Sequence, residues 1–255
     1  IFAHAVPSKG DDEKGFAVRC LTEDVLWLGY SRVILKSDNE PAIVRLLREA
    51  LKVLRIEGVE QAVEEHPPPY DPQSNGAIEV GVKLVKGHFK TMRSSLEARV
   101  GFKVPVKHPV MEWLIVHAAS VITWTSRGVD GRTAYHRVRG RPFNGKLLIF
   151  GQTCRSKGRS KEQLGGRDKW VQSIYLGRES RQGQHVLFDI DAKCIVFSRT
   201  VMRVPNAEKW CARDIASVCA TPYNLHEARK PQAIFKDAVE QPDVPTAKPR
   251  IVRDL

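Results

Sequence analysis

Between residues 75 and 100 the side chains Ile78, Val82, Val85, Phe89, Met92 and Leu96 step by four, three, four, three and four. This is the period of a helix with one face turned to a core. It commits the middle of the chain to a long amphipathic helix and fixes what its neighbours can be. Before it, short runs alternate. Residues 1–6 read as a strand, 7–14 as a turn, and 13–29 as a helix with Phe16, Leu21, Val25 and Leu28 roughly on one side. Residues 31–36 read as a second strand. Residues 41–55 are helical, with Pro41 in the first turn and Gly58 beyond the end. A short strand at 59–63 follows, and three consecutive prolines make 64–74 an irregular loop. Beyond the long helix, 110–126 reads as a buried helix and 133–138 as one more helical turn.

The period changes near residue 146. Runs at 147–150, 170–176, 185–189 and 194–201 are short, β-rich and split by glycine and charged turns. They suit a small β-barrel over 146–205, after an α/β core over 1–140. From 206 the apolar periodicity fades. Five prolines and many charges after Thr221 predict a linker or disordered tail over 206–255.

Lysine and arginine number 41 against 29 aspartate and glutamate, a formal net charge of +12. Such an excess attracts polyanions and gives sequence-independent phosphate binding. No apolar run reaches the roughly 18 residues of a membrane span, and no signal segment opens the chain. The five cysteines form no C-x-x-C pair, which fits a reducing compartment. The eight histidines show no spacing for structural zinc. Starting on Ile1 within an apolar run, the chain looks like a piece of a longer polypeptide.

Two acids occupy telling places. Asp38 ends the strand-like run Val33-Ile34-Leu35, and Glu79 lies in the first turn of the long helix. Close carboxylates repel, and a fold tolerates them when a divalent cation lies between. Mg²⁺ prefers one or two carboxylates, its own waters and phosphate oxygens. Spacing alone is weak evidence, because most acids are surface groups. At about 100° per residue, Lys83, Lys86, Lys90 and Arg93 fall within roughly 40° of Glu79. Most amphipathic helices turn such a face to solvent. It becomes a path for a phosphate backbone if Glu79 binds metal.

Ser37-Asp38-Asn39 at a strand end, then Pro-Tyr-Asp-Pro-Gln-Ser-Asn-Gly-x-x-Glu at 69–79 opening a helix, resembles the second and third acids of the retroviral integrase core. The pattern is most similar to that of integrases of Ty1/copia-type retrotransposons. The run Trp170-Val171-Gln172-Ser173-Ile174-Tyr175-Leu176-Gly177, with those at 186–189 and 195–201, is similar to the SH3-like domain that follows that core. The resemblance covers about residues 1–205.

It implies an RNase H-like core, truncated at its amino end, followed by a small SH3-like β-barrel. It implies a DDE-type polynucleotidyl transferase that processes the 3′ end of element DNA and transfers it into target DNA. Asp38 and Glu79 would be catalytic and would bind Mg²⁺ or Mn²⁺. Lys83 and Lys86 would touch the donor DNA end, Lys90 and Arg93 would extend that ridge, and Tyr70 and Gln73 would lie in a loop approaching it. Asn75 and Gly76 would shape the entry into the helix. Partners would be double-stranded DNA and further copies of the chain, without a membrane, in the nucleus or a cytoplasmic retroelement particle.

The chain departs from the family pattern. The spacing between the two acids is longer than usual. Asp11 and Asp12 fall in a turn and Asp24 inside a helix, so the first acid of the triad is expected upstream of Ile1. The chain by itself is then expected to be inactive. The family's zinc-binding amino-terminal domain is also missing. The alternatives are a catalytically inactive, transposon-derived DNA-binding module and a ribonuclease of the same fold, the latter disfavoured by the loop motif and the trailing β-rich region.

Overall fold

The computed structural model describes residues 1–10, 12, 14–66, 76–157, 170–179 and 182–225. Its first layer is α1 (Phe16–Leu28), β1 (Arg32–Lys36), α2 (Pro41–Ile56) and β2 (Gln61–Glu65). β1 and β2 pair in parallel, from Arg32 opposite Gln61 to Lys36 opposite Glu65. Strand alternation sends Val33, Leu35 and Ala62 inward, where Val25, Leu51, Leu54 and Val59 meet them. Ile34 and Val63, opposite each other on the other face, remain exposed.

Residues 1–6 form no strand, contrary to the expectation from their apolar run. The segment lies on helices instead. The Ile1 amino group donates to Thr123 Oγ1 (3.0 Å), whose hydroxyl donates back to the Ile1 carbonyl (2.7 Å). Phe2 stands edge-on to Trp27 with ring centroids 5.4 Å apart. Among the described residues, β1 pairs with β2 alone, and this segment does not extend their ladder.

The long helix is α3 (Gly76–Val100), and α4 (Pro109–Thr125) follows it. The apolar stripe of α3 is buried only towards its far end. Leu96 is 1% exposed and Phe89 and Met92 pack on the same core, but Ile78 is 68% exposed and Val82 45%. α4 is apolar on nearly every side and buries Val110, Met111, Trp113, Leu114, Ala118, Ala119, Ile122 and Trp124. A short helix, α5 (Ala134–Arg139), leads away from it.

The second half is a five-stranded antiparallel sheet: β3 (Thr153–Lys157), β4 (Trp170–Arg178), β5 (His185–Asp189), β6 (Cys194–Ser198) and β7 (Val201–Arg203), in the order β6-β5-β4-β3-β7. Among the described residues no pairing joins β7 to β6, so the sheet is not closed into a ring. Residues 147–150, expected as a strand, form none, although Leu148 and Phe150 are buried.

One core cluster spans the helical and sheet halves. Met111, Trp113 and Leu114 of α4 share one cluster with Ile174 and Leu176 of β4, Phe188 of β5 and Ile195 of β6. Gly177 makes this approach feasible. At φ 146°, a Cβ there would lie 3.3 Å from His117 Nδ1.

The segment from 206 also differs from the expected linker. It continues through a 3-10 turn (Asn206–Glu208) and a short helix, α6 (Ala212–Ala216). It buries Ile215, Val218 and Ala220 in the same cluster, and Trp113 Nε1 donates to the Ala220 carbonyl (2.9 Å). The apolar run that holds them, 215–220, is too short to show a period. The remainder of the expected tail, 226–255, lies outside the described residues.

Candidate metal and nucleic-acid site

A parallel pair collects its functional side chains at the carboxyl ends of the strands, where the chain turns out of the sheet. β1 stops at Lys36, but Ser37 N still donates to the Glu65 carbonyl (3.3 Å), so pairing runs up to the base of Asp38. Asp38 is exposed just beyond. Two residues later the Glu40 carbonyl accepts from Ile43 N and Val44 N and starts α2, with Pro41 holding the first helical φ. The tight strand-to-helix turn fixes the backbone of Asp38 and leaves its carboxylate in water.

β2 leaves the sheet at the same end, because it runs parallel to β1. Glu65 Oε1 lies 3.1 Å from Lys36 Nζ. Glu64 lies 3.6 Å from Arg48 Nε and 3.8 Å from His66 Nε2. Among the described residues, Glu64 Oε2 and His66 Nδ1 are enclosed without a hydrogen-bond partner. Glu64 and His66 thus adjoin the carboxyl edge, although the proline run beside them predicts an irregular loop. Their signal is the run Glu64-Glu65-His66, three ionisable residues where an alternating strand ends.

Tyr70, Gln73 and Asn75 lie outside the described residues. Glu79 stands exposed in the first turn of α3, where a carboxylate complements the helix dipole. Among the described residues neither Asp38 nor Glu79 has a hydrogen bond or an ion pair through its carboxylate. Oxygen donors that remain in water are what Mg²⁺ or Mn²⁺ takes alongside its own waters, so the two residues fit that group chemically. No set of three or more histidine, cysteine, aspartate or glutamate side chains is disposed to hold a metal among the described residues.

The acids nearer the start of the chain are engaged elsewhere. Asp12 Oδ1 accepts from Ala17 N (3.0 Å) at the start of α1. Asp24 Oδ2 lies 2.7 Å from His4 Nε2. Burial opposes the charge on His4, but its hydrogen bonds to Asp24 and Cys20 and their charges outweigh it and raise the imidazole to about 10. Asp11 lies outside the described residues.

Along α3, Lys83, Lys86 and Lys90 are exposed. Arg93, expected on the same ridge, is drawn inward. Its Nε donates to Glu97 Oε1 (2.9 Å) and its Nη2 to the Val104 carbonyl (2.8 Å). The described ridge is therefore three lysines. On another side of the helix Ile78, Val82, Val85 and Phe89 line an apolar groove of about 600 Å³, with Phe2 and Ile115 opposite and Lys86 at the rim.

No described helix is long and apolar enough to cross a membrane. No protein-family model matches the chain, and no curated protein matches it. Among solved structures, it is similar to a chain of the simian T-cell lymphotropic virus intasome in complex with PP2A regulatory subunit B56 gamma, with a TM-score of 0.36 and 14% identity. The likeness covers 74% of this chain, which spans 63% of that one.

Proposed function

We propose that this chain is part of a retroelement integrase of the Ty1/copia type, with an RNase H-like core and an SH3-like β-rich domain. One observation carries the reading. Asp38 follows the carboxyl end of a parallel strand, and Glu79 opens the helix that the 69–79 motif announces, with the lysine ridge on its face.

Asp38 and Glu79 would hold Mg²⁺ or Mn²⁺. The cation would supply Lewis acidity and neutralise charge at phosphorus. Lys83 and Lys86, one and two turns beyond Glu79, bind phosphate oxygens of the donor strand, and Lys90 extends that track. Tyr70 and Gln73 approach the DNA end. Water cleaves the 3′ end, and the freed 3′-hydroxyl attacks a target phosphodiester in line. The partners are double-stranded DNA and further copies of the chain, in the nucleus or in a cytoplasmic retroelement particle.

The test is Mn²⁺ binding followed by electron paramagnetic resonance, with DNA binding in parallel. Asp38→Asn and Glu79→Gln should each weaken Mn²⁺ binding at least about tenfold, the scale of losing a charged ligand. Unchanged Mn²⁺ affinity in both would overturn the metal assignment.

A second reading is favoured by the absence of a three-ligand cluster among the described residues. In it the chain binds DNA through its basic surfaces and cleaves nothing. Duplex binding indifferent to Mg²⁺ and to both acid substitutions would select it.

A further inference from the structure

Residues 127–146 hold five arginines, one lysine and a single acid, so net five of the chain's twelve excess positive charges fall in this short stretch. Arg127, Arg132, Arg137, Arg139, Arg141 and Lys146 are all exposed. The ordinary reading of such a run is a solvated loop. The way this one is mounted argues otherwise.

The stretch is a rigid turn–helix–turn. Arg127 bridges to Thr133, Gly128 N donates to the Arg132 carbonyl (2.9 Å), and Gly131 turns at φ 70°. Thr133 Oγ1 caps α5 by accepting from His136 N (3.1 Å), and Gly140 closes it at φ 69°. Asp130 accepts from Arg137 Nε (3.0 Å) and Nη2 (2.6 Å) and from Arg132 N (3.1 Å), which ties the turn to the helix.

The aromatic side chains face the protein. Phe143 stacks on Trp124 of α4 with centroids 4.6 Å apart and planes 7° apart. Tyr135 meets Phe143 at 5.3 Å and Trp27 of α1 at 6.1 Å. Arg139 lies over the Trp27 ring at 4.5 Å. The one acid and two of the arginines are thus occupied in holding the shape. Among the described residues Arg127, Arg132, Arg141 and Lys146 have no carboxylate partner.

We infer that this arginine-rich turn–helix–turn is a second binding surface for double-stranded DNA, separate from the lysine ridge of α3, that grips the phosphate backbone without reading bases. Arginine outnumbers lysine, and its planar fork matches phosphate oxygens in a way a lysine point charge does not. Both flanks of α5 carry unpaired cations, and a six-residue helix separates them by roughly 9 Å. Measured along the axis of a duplex, that length matches the rise of about two or three phosphates of one strand at 3.4 Å each. The aromatics are committed to α1 and α4, so no platform is left for stacking unpaired bases. That disposition favours a duplex over a single strand. A bilayer is disfavoured for the same reason, since no aromatic wedge points outward. The surface shares its partner with the proposed integrase function but needs no metal.

The test uses the whole chain and two unrelated duplexes, with affinity measured by fluorescence anisotropy across a salt series. Arg132→Gln with Arg141→Gln should weaken both duplexes alike. It should reduce the slope of log affinity against log salt by about 2, close to one unit for each phosphate left unneutralised. The melting temperature should not change, because both side chains are exposed. Unchanged affinity and slope would overturn the inference. So would a loss confined to phosphatidylserine vesicles with DNA binding intact. The two proposals fail separately. Weaker DNA binding in the arginine pair, with Mn²⁺ affinity unmoved by Asp38→Asn and Glu79→Gln, removes the metal site and keeps this surface. Metal-dependent DNA binding lost with Lys83→Gln and Lys86→Gln, but indifferent to the arginine pair, does the reverse.

Discussion

Arg93 and Glu97 form an ion pair one helical turn apart, Nε to Oε1 at 2.9 Å, in which the carboxylate is buried and the guanidinium partly exposed. Lys103 Nζ (2.9 Å) and Val104 N (3.1 Å) complete the shell of Glu97. The pair locks the end of α3 to the segment that leads into α4.

Burial pushes the Glu97 carboxyl up, but hydrogen bonds from Lys103, Arg93 and Val104 N prevail and hold it below the usual glutamate value. A depressed carboxyl stabilises the fold above its ordinary pKa and loses that contribution as pH falls through the folded one. Glu97→Gln should therefore cost about 2–3 kcal/mol at pH 7, the worth of charge-assisted bonds to a buried group. Urea denaturation should show the gap between parent and variant narrowing as pH falls below the usual glutamate range. A gap that stays constant with pH would contradict this account.

Arg93 supplies a separate expectation about DNA. Its guanidinium is committed to Glu97 and Val104, so Arg93→Gln should destabilise the protein but leave the salt slope of DNA binding near the parent value. Lys83→Gln with Lys86→Gln should behave oppositely, with an intact fold and a slope lower by about 2. Anisotropy titrations on both variants decide it.

Three histidines make the fold sensitive to mild acid. Burial lowers His117 to about 4. Burial also takes His108 to about 4 against a hydrogen bond with the Ala216 carbonyl, and His185 to about 4 with help from the charge of Arg178. A lowered imidazole is neutral in the fold and binds its proton once unfolded, so stability should fall as pH drops from 6.5 towards 4. His117 lies between Phe150 (5.3 Å) and Tyr175 (5.9 Å), where α4 meets β4. His117→Leu should flatten the pH dependence by about one proton. Thermal melts at half-unit pH steps measure the slope.

Gly177 and His117 give a steric prediction. Gly177→Ala would set a Cβ 3.3 Å from His117 Nδ1 on a backbone at φ 146°, where side chains are strained. A loss of about 2–3 kcal/mol should appear in denaturant melts. A neutral result would mean that α4 can move away from β4 at no cost.

Phe143 anchors the arginine-rich turn to Trp124. Phe143→Ala should cost about 2 kcal/mol, less than a fully buried ring because Phe143 is half-buried. Trypsin should then cut after Arg137 and Arg139 before the rest of the chain opens. Global unfolding preceding cleavage there would refute the local anchoring.

The helices were legible because their period survives in the residues: Leu96, Met92 and Phe89 fall where the spacing puts them. Which part of a stripe is covered was not legible. Ile78 and Val82 carry the same pattern and stay exposed, since coverage depends on what α4 reaches. The same limit applies to Arg93. A helical wheel gives its angle beside the lysines but cannot reveal that Glu97 and the Val104 carbonyl lie within reach. Residues 1–6 have the composition of a strand but pair with no strand among the described residues, and pairing is a tertiary fact. Asp38 and Glu79 could be placed at a strand end and a helix start from sequence alone. Glu64 and His66 could not, because their place at the carboxyl edge follows from the parallel register of β2 on β1.

Helix α4 is lined by the sheet on one flank and by α3 on another, so it belongs to neither half alone. A polypeptide ended near residue 145, where the periodicity changes, would bare Met111 and Leu114 to water. One begun there would bare Ile174 and Phe188. The boundary in the sequence marks a change of architecture across a shared core, and exchange of amide hydrogens should protect the α4 and β4 sides of that core together.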